Sequence, residues 1–575
     1  MSSSEPSSSP LPRWGLPREA LFGVAALFFW AVGLYLRTLE AGSTSLDQAA
    51  IHPHYFAALM ARGEPWPAVG PPAAFFVRHG TVNAFLLTLL QPFADSLLDS
   101  VRSAAVLRSL AIPLSYLLGR ALGAPALGLA AAAMRALAPE SVNLDRHFGG
   151  TYFLDPVLLA TMWGLAAGRA SSTARLAATG VGLACLPLVH PMGLPAALGL
   201  GGAWAWILSG RRGKQRLIPL GIAALPLLPY LAVEVASHFG AVRSVLSMLS
   251  GGVEFEAPGE EEVGLLWTVT LLLKDPAPLP LALPALLAWL SAPALAGLLL
   301  LRGDVRARLG LPLLGYAAGA GLLLLFFLAV QGGVGYGYGH HVMSAFLLGV
   351  GILCALWGRL AAARWGLESS RHRVELALGV SLVVALAPFG PRMFSDAEGA
   401  DRSWPWGMSA AGSIEAMAHL IETERSGRPM HLALVHAPDA QPAPPVALSG
   451  VVVELLHRGL PLTDLPQHPP TDGPVEGWFI LVGDGVELLA HGGPPGQLVP
   501  YEDPHPQAER MAVRVWRSED FMVTKAWMES LPEGYELYGT EEYQDLEEYY
   551  FARPVWPGRG GALPIMESEF RSSDW

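Results

Sequence analysis

The chain has little charge and almost no cysteine. Charged residues make up 15% of the 575 positions and hydrophobic residues 52%. Soluble domains carry roughly 25% charged residues, so this composition excludes an ordinary soluble protein. The two cysteines, Cys185 and Cys354, both lie inside apolar runs. This placement indicates small buried side chains, not a disulfide or a metal-binding pair.

Nucleotide-binding and nucleic-acid-binding signatures are also lacking. The sequence has no GxGxxG motif after a predicted strand and no P-loop. Acidic residues outnumber Lys and Arg by 49 to 37, which argues against nucleic acid as a partner. The acidic excess is confined to one part of the chain: residues 391–575 carry a net charge of −17, and the remainder carries +5. The charge pattern thus predicts a weakly basic membrane part and an acidic soluble domain.

Long apolar runs recur over the first two thirds of the chain. Runs of about 20 apolar residues are typical of transmembrane helices. We predict about eleven spans, at 20–37, 102–119, 122–138, 152–168, 176–190, 193–209, 217–235, 280–301, 310–330, 339–358 and 374–390. The Ser/Pro-rich residues 1–19 are predicted to be a disordered cytoplasmic N-terminus. The first run has no small-residue cleavage site, which favours an uncleaved helix.

The loop charges predict the orientation. Short loops rich in Lys and Arg stay in the cytoplasm. With eleven spans and a cytoplasmic N-terminus, five basic loops fall on the cytoplasmic side: "GRALG", "GRASSTARL", "SGRRGKQRL", "LRGDVRARLG" and "GRLAAARWGLESSRHRV". The sequence therefore predicts a multi-pass protein of the inner or plasma membrane, with residues 391–575 outside the cytoplasm.

The acidic C-terminal region alternates between strand and helix patterns. "HLALVHA", "GWFILVGDG" and "RMAVRVWRS" favour strands, and "VALSGVVVELLHRGL" favours a helix. Such alternation predicts a small α/β domain.

Polar residues gather in the loops that this topology places outside. The first outer loop, 38–101, follows the first span and is long. The candidate site residues of the outer loops are Asp47, His52, His54, Tyr55, Arg78 and His79 in the first loop, Asp145, Arg146 and His147 in the second (139–152), and Tyr336, Tyr338, His340 and His341 in "GYGYGHH".

Two segments resemble a known family. "LDQAAIHPHYFAALMARGEPWP" places an acid just after the first span and then a helix that ends in glycine. "VRSAAVLRSLAIPLSYLLGRALGAPALGLAAAAMRALAPESVNLDRHFGGTYFLDPVLLATMWGL" is similar to the family's second to fourth helices. Over residues 20–390 the chain resembles the integral-membrane glycosyltransferases of the GT-C superfold, in particular the protein mannosyltransferase and lipid A aminoarabinose transferase-like group. The family's first loop usually has an Asp-Glu pair, whereas Asp47 is followed by Gln48 here.

The resemblance implies a reaction and roles for the outer-loop residues. A sugar would pass, with inversion, from a polyprenyl-phosphate donor in the bilayer to an acceptor hydroxyl of a protein, lipid or glycan on the outer face. Asp47 would be the general base and Asp145 a second acid. Arg146, with His147, Arg78 and His79, would bind the donor phosphate or sugar, as would the tyrosines and histidines of "GYGYGHH". His52, His54 and Tyr55 would lie on the acceptor side. The sequence assigns no cofactor, and whether a divalent cation takes part is left open.

Each of these residues also has a simpler structural explanation. Asp47 can cap the helix that follows it. His52 and His54 are two residues apart, do not share a helix face, and suit interfacial positions. Asp145 and Arg146 can form a surface ion pair, and "GYGYGHH" can belong to an aromatic belt. Two other functions also fit the sequence: a GT-C-like scaffold that has lost catalysis, for which the missing glutamate is an argument, and a transporter. The transporter is the weaker alternative, because the ionisable groups gather in loops and not within spans.

Overall fold

The computed structural model describes two parts of the chain. The described segments are 18–39, 48–63, 80–121, 125–137, 153–166, 171–190, 193–236, 411–425, 430–437, 446–460, 475–482, 492–502 and 513–538, with a few single residues between them. Asp47, Arg78, His79, His147 and the "GYGYGHH" residues lie outside them, as do the four spans predicted between 280 and 390.

The first part is entirely helical. Its helices are α1 (Arg18–Thr38), α2 (Gln48–Ala61), α3 (Val82–Thr88), α4 (Leu97–Ser109), α5 (Ala111–Ala121), α6 (Pro125–Leu137), α7 (Leu154–Leu165), α8 (Thr173–Val189), α9 (Gly193–Ser209), α10 (Lys214–Ala224) and α11 (Leu228–Ala236). A helix lies at each of the seven spans predicted up to residue 235. Three stretches of the described chain are long and apolar enough to cross a membrane: Ala20–Thr38, Leu97–Ala121 and Lys214–Ala236. The chain is a polytopic membrane protein.

The second membrane stretch begins earlier than the sequence predicts. The stretch Leu97–Ala121 combines α4 and α5. Its N-cap is Ser96, whose hydroxyl accepts a hydrogen bond from the backbone N–H of Asp99. Serine is a preferred N-cap because it satisfies one of the free N–H groups of the first turn. The connection between α1 and α4 therefore ends at residue 96 and not at 101.

Small residues bring α7 and α8 together. A Cβ atom added to Gly164 of α7 would collide with the hydroxyl of Thr179 on α8. The reverse also holds, because a Cβ atom added to Gly182 of α8 would collide with the hydroxyl of Thr161 on α7. Glycines of this kind let membrane helices approach closely, where van der Waals packing and not the hydrophobic effect drives association.

The second part of the structure is a mixed sheet with helices. Its elements are α12 (Ala411–Glu424), β1 (Met430–His436), α13 (Val446–His457), β2 (Glu476–Val482), β3 (Gln497–Val499), β4 (Val513–Ser518), α14 (Phe521–Glu529) and β5 (Glu536–Tyr538). The strand order is β3-β4-β2-β1-β5. Strands β1 and β2 pair in parallel, and the other neighbours are antiparallel. A parallel pair needs a crossover connection, usually a helix, and α13 lies in the connection between β1 and β2.

Helix α13 also packs against the helical part of the chain. It contacts α2 and α4, and buried residues of all three helices belong to one continuous hydrophobic core. Leu455 of α13 and Leu59 of α2 are both buried in that core. Helix α2 is consequently covered on all sides: every residue from 51 to 59 is buried. Helix α2 is thus enclosed between other helices of the first part and the C-terminal domain.

Candidate functional site

Asp145 is the centre of a buried ionic cluster. One of its carboxylate oxygens accepts a hydrogen bond from Nε of Arg37, at 2.6 Å. The other accepts one from Nη2 of Arg135 at 3.0 Å and lies 3.4 Å from Nε of Arg108. The three arginines come from α1, α6 and α4, and none is more than 5% exposed. The predicted second outer loop is thus tied at Asp145 to three helices.

The cluster extends to α7 and to the backbone. Nε of Arg135 donates to a carboxylate oxygen of Asp155, in the first turn of α7, at 3.0 Å. Arg37 donates to the carbonyl oxygens of Gly33 and Arg135, and Nη1 of Arg108 donates to that of Asp145. Buried ions are tolerated only when paired and well hydrogen-bonded. These contacts satisfy that condition and fix the arginine side chains in place.

The electrostatics of the cluster keep Asp145 ionised. Burial alone would raise its pKa, but the guanidinium groups of Arg135, Arg37 and Arg108 outweigh burial and hold the pKa well below its usual range. A carboxylate with so low a proton affinity is a weak general base. Asp145 is therefore well placed to hold arginines and poorly suited to accept a proton.

Arg146 lies beside the cluster and points to the end of α1. Its Nε and Nη2 both donate to the carbonyl oxygen of Leu36, at 2.9 and 2.5 Å. The side chain is completely buried. The last carbonyl groups of a helix lack partners within it, and a cation near that end also interacts favourably with the helix dipole. Arg146 satisfies such a carbonyl, and its predicted role at a donor phosphate stays a prediction.

The acceptor-side candidates of α2 are buried and not interfacial. His52 and His54 are 1% and 0% exposed, and Tyr55 is 5% exposed. The ring of His52 packs on Phe56 with 4.5 Å between ring centroids, and Nδ1 of His54 lies 2.7 Å from the hydroxyl oxygen of Ser100. Burial, with a smaller contribution from His457 of α13, lowers the pKa of His54 to about 3. The expectation of interfacial histidines was wrong because α13 covers this helix.

Asp47 itself lies outside the described residues, but both of its neighbours are placed. Leu46 is fully buried in the main core, and Gln48 is the first residue of α2. The predicted roles of Asp47 as base and as N-cap both stay predictions, as do those of Arg78, His79, His147, Tyr336, Tyr338, His340 and His341.

Sequence reasoning missed the three arginines that surround Asp145. A usable signal was present, since Arg108 and Arg135 fall inside the apolar runs predicted as spans. Ionisable residues at membrane depth are costly and often functional. Among the described residues, no group of three or more His, Cys, Asp or Glu side chains could hold a metal ion.

Comparison with solved structures identifies the architecture. ArnT from Cupriavidus metallidurans in the apo state superposes with a TM-score of 0.50 at 13% identity, over 87% of this chain and 97% of ArnT. ArnT bound to undecaprenyl phosphate gives 0.45 at 15% identity, over 87% and 98%. The apo oligosaccharyltransferase of Archaeoglobus fulgidus gives 0.42 at 13% identity, over 71% of this chain and 59% of its own. No protein-family model and no curated protein matches the sequence.

The likeness to apo ArnT shows the fold. The chain has the polytopic architecture of the GT-C glycosyltransferases, which the resemblance over residues 20–390 implied.

Proposed function

We propose that the protein is a membrane glycosyltransferase that moves a sugar from a polyprenyl-phosphate donor to an acceptor hydroxyl on the outer face of the membrane, with inversion. The observation that carries this proposal is the buried cluster of Arg37, Arg108 and Arg135 around Asp145, within a GT-C fold. Arginine is suited to phosphate because its planar guanidinium binds two oxygens at once. Pre-positioned cations of this kind stabilise the charge that develops on a leaving phosphate.

Each group has a defined part in the proposed reaction. The acceptor oxygen attacks the anomeric carbon, and the bond from that carbon to the phosphate oxygen breaks. Asp47 takes the proton of the acceptor hydroxyl, and the phosphate leaves with the bonding electrons. The transition state resembles an oxocarbenium ion, as in glycoside hydrolysis. A base is required on one face of the sugar and positive charge on the other.

In this scheme Asp145 is a positioning residue. It holds three guanidinium groups that would otherwise repel one another, and it does not accept the proton. Arg37, Arg108 and Arg135 are thereby held together in one buried cluster between α1, α4 and α6. Arg146 anchors the same loop to α1. In this proposal Asp47 is therefore the base.

The test is transfer from a panel of radiolabelled polyprenyl-phosphate sugars in membranes, with the wild type and D47N at matched expression. The proposal expects transfer by the wild type and its loss in D47N. The matched control is D99N, because Asp99 is a carboxylate on α4 that forms an ion pair with the neighbouring, exposed Arg102. Transfer that persists in D47N would place the base elsewhere. Transfer from no donor, even by the wild type, would support the scaffold alternative.

A further inference from the structure

Basic side chains from two neighbouring connections lie together at one end of helices α7 to α10. The connection between α7 and α8 contacts the one between α9 and α10, because Nη2 of Arg211 donates to the carbonyl oxygen of Ser171 at 2.6 Å. We call the cations at this end the basic surface; its members are Arg175 of α8, Arg211 and Arg212 before α10, and Lys214 and Arg216 in the first turn of α10.

Neighbouring acids do not neutralise the basic surface. The sequence has no Asp or Glu between Asp155 and Glu234. The side chains of Arg212, Lys214 and Arg216 are exposed, and within the described part of the chain they make no hydrogen bond or ion pair. Their positive charge can therefore attract an anion that does not belong to this part of the protein.

The basic surface lies where an apolar stretch begins. One of the three stretches that are apolar enough to cross a membrane is Lys214–Ala236, which starts within this surface. In its first turns Leu217 and Ile218 are 66% and 46% exposed. Long basic side chains at the end of such a stretch reach the level of the lipid head groups, while the apolar residues beyond them face the acyl chains.

Arg175 and Trp163 indicate the same depth. The guanidinium carbon of Arg175 lies 5.0 Å from the ring centroid of Trp163, and that ring is 39% exposed. Tryptophan is enriched at the boundary between membrane and water, and an arginine stacked on its ring is stabilised by a cation–π interaction. This end of α7 to α10 thus combines positive charge, an exposed indole and exposed aliphatic side chains.

This combination distinguishes between classes of anion. A phosphate group accepts charge-assisted hydrogen bonds from arginine and lysine, but a free phosphate would leave Leu217 and Ile218 uncovered. A soluble acidic protein would also leave them exposed to water. An anionic phospholipid supplies both the phosphate and the acyl chain.

We infer that the basic surface binds the head groups of anionic phospholipids, with Leu217 and Ile218 against their acyl chains. Both connections belong to loops whose charge predicts a cytoplasmic position, so the lipids would be those of that leaflet. Each Lys or Arg near an anionic membrane surface strengthens binding about fivefold, and three of them together roughly 100-fold. This inference does not involve the sugar-transfer reaction.

Lipid binding to the purified full-length protein tests the inference. The probes are phosphatidylglycerol and phosphatidylcholine, added to the protein in a neutral detergent and counted by native mass spectrometry. The wild type should bind phosphatidylglycerol in preference to phosphatidylcholine, and added salt should reduce that preference. The triple variant R212Q/K214Q/R216Q should bind phosphatidylglycerol at least about tenfold more weakly. Equal binding of the two lipids by the wild type, or an unchanged preference in the triple variant, would overturn the inference.

Two control variants separate the basic surface from net charge and from folding. R102Q/R428Q/R514Q removes three exposed cations elsewhere on the protein and should bind as the wild type does. R212K/R216K keeps the charge and should also bind normally, whereas a loss in that variant would contradict an electrostatic surface. The melting temperature of R212Q/K214Q/R216Q should equal that of the wild type, because all three side chains are exposed.

A soluble head group tests the contribution of the acyl chains. Glycerol 3-phosphate carries the phosphate without the chains and should not displace phosphatidylglycerol from the wild type at equal concentration. Displacement would show that the surface binds phosphate alone, which would contradict the assignment to a lipid.

Discussion

Arg37 and Asp145 are 108 residues apart in the sequence and form a buried ion pair with 2.6 Å between Nε and Oδ2. The pair joins the end of the first membrane helix to the second outer loop. Both side chains are almost completely excluded from solvent. Breaking such a pair leaves a buried charge without compensation, which costs far more than the loss of a surface pair.

The substitution D145N should therefore destabilise the membrane part. It leaves the buried guanidinium groups of Arg37, Arg108 and Arg135 without their shared anion, at a cost of about 3–5 kcal/mol. The measurement is the melting temperature of the purified protein in detergent. D99N is the control, because the exposed pair of Asp99 and Arg102 should contribute at most about 1 kcal/mol. Equal melting temperatures for D145N and D99N would contradict the structural role given to Asp145.

We expect Glu454 to stabilise the docking of the C-terminal domain mainly through the hydrogen bond that it accepts, and less through its negative charge. Its Oε2 accepts from the backbone N–H of Leu97 at 2.6 Å, at the start of α4, and its Oε1 accepts from Nε of Arg458 at 2.7 Å. Burial raises the pKa of Glu454, although Leu97 and Arg458 favour its ionised form. E454A leaves a helix N–H unsatisfied, which costs about 1–3 kcal/mol. E454Q keeps an acceptor and should cost less.

Protection of α2 from hydrogen–deuterium exchange reports this docking. We expect faster exchange in α2 for E454A and a near-normal rate for E454Q. E415Q is the control, since Glu415 is a second carboxylate near Arg458, at 3.8 Å. Should E454Q expose α2 as strongly as E454A does, the charge and not the hydrogen bond would be the important feature.

Acid should weaken the docking of the C-terminal domain. The pKa of His457 is about 4 when docked, because burial opposes its charged form, against 6.5 for a free histidine. The undocked state therefore binds the proton more tightly. The contribution of His457 to docking is fully present above about pH 6.5 and is lost as the pH falls towards about 4. The raised pKa of Glu454 acts with the opposite sign, so a variant of His457 is needed to isolate its effect.

Spin labels can measure this pH dependence. Nitroxide labels are attached to two introduced cysteines, Arg102→Cys on α4 and Glu424→Cys on α12, in a C185A/C354A background. Pulsed electron paramagnetic resonance then measures the distance between the two parts. We expect a narrow distribution at pH 7 that broadens as the pH falls to 4.5. The same labels with H457Q should show a smaller change. A distribution that stays narrow at pH 4.5 would show that His457 does not control docking.

Because Gly164 of α7 lies against Thr179 of α8, we expect a second substitution at Thr179 to restore stability that G164A removes. G164A places a methyl group against the hydroxyl of Thr179 and should lower the melting temperature. Removing that hydroxyl and the adjacent methyl group in T179A should restore much of the stability when the two changes are combined. Additive losses in the double variant would mean that Gly164 and Thr179 are not in direct contact.

The membrane helices could be predicted from the sequence because an apolar run is a local property. The span predicted at 193–209 coincides with α9, and the strand "HLALVHA" (431–437) is offset from β1 by one residue. Strands β3 and β5 were missed, since each is three residues long and is formed by pairing with distant strands. The N-cap at Ser96, where α4 begins, was also not predicted.

The candidate site was less predictable, because its geometry depends on long-range packing. Asp145 was identified from a dense run of polar residues, but its partners Arg37 and Arg108 come from other helices. His52 and His54 were expected at an interface, and nothing local in the sequence reveals that α13 lies over them. The contact of Glu454 with Leu97 spans 357 residues and has no sequence signature.

The most direct test of the proposed function compares sugar transfer from lipid-linked donors with transfer from nucleotide-linked donors. The purified wild-type protein, reconstituted in vesicles, would receive the same radiolabelled sugars either on a polyprenyl phosphate or on a nucleoside diphosphate, with label recovered in the acceptor as the readout. The account predicts transfer from a lipid-linked sugar and none from the nucleotide forms. Transfer from a nucleotide sugar, with none from any lipid-linked donor, would contradict it.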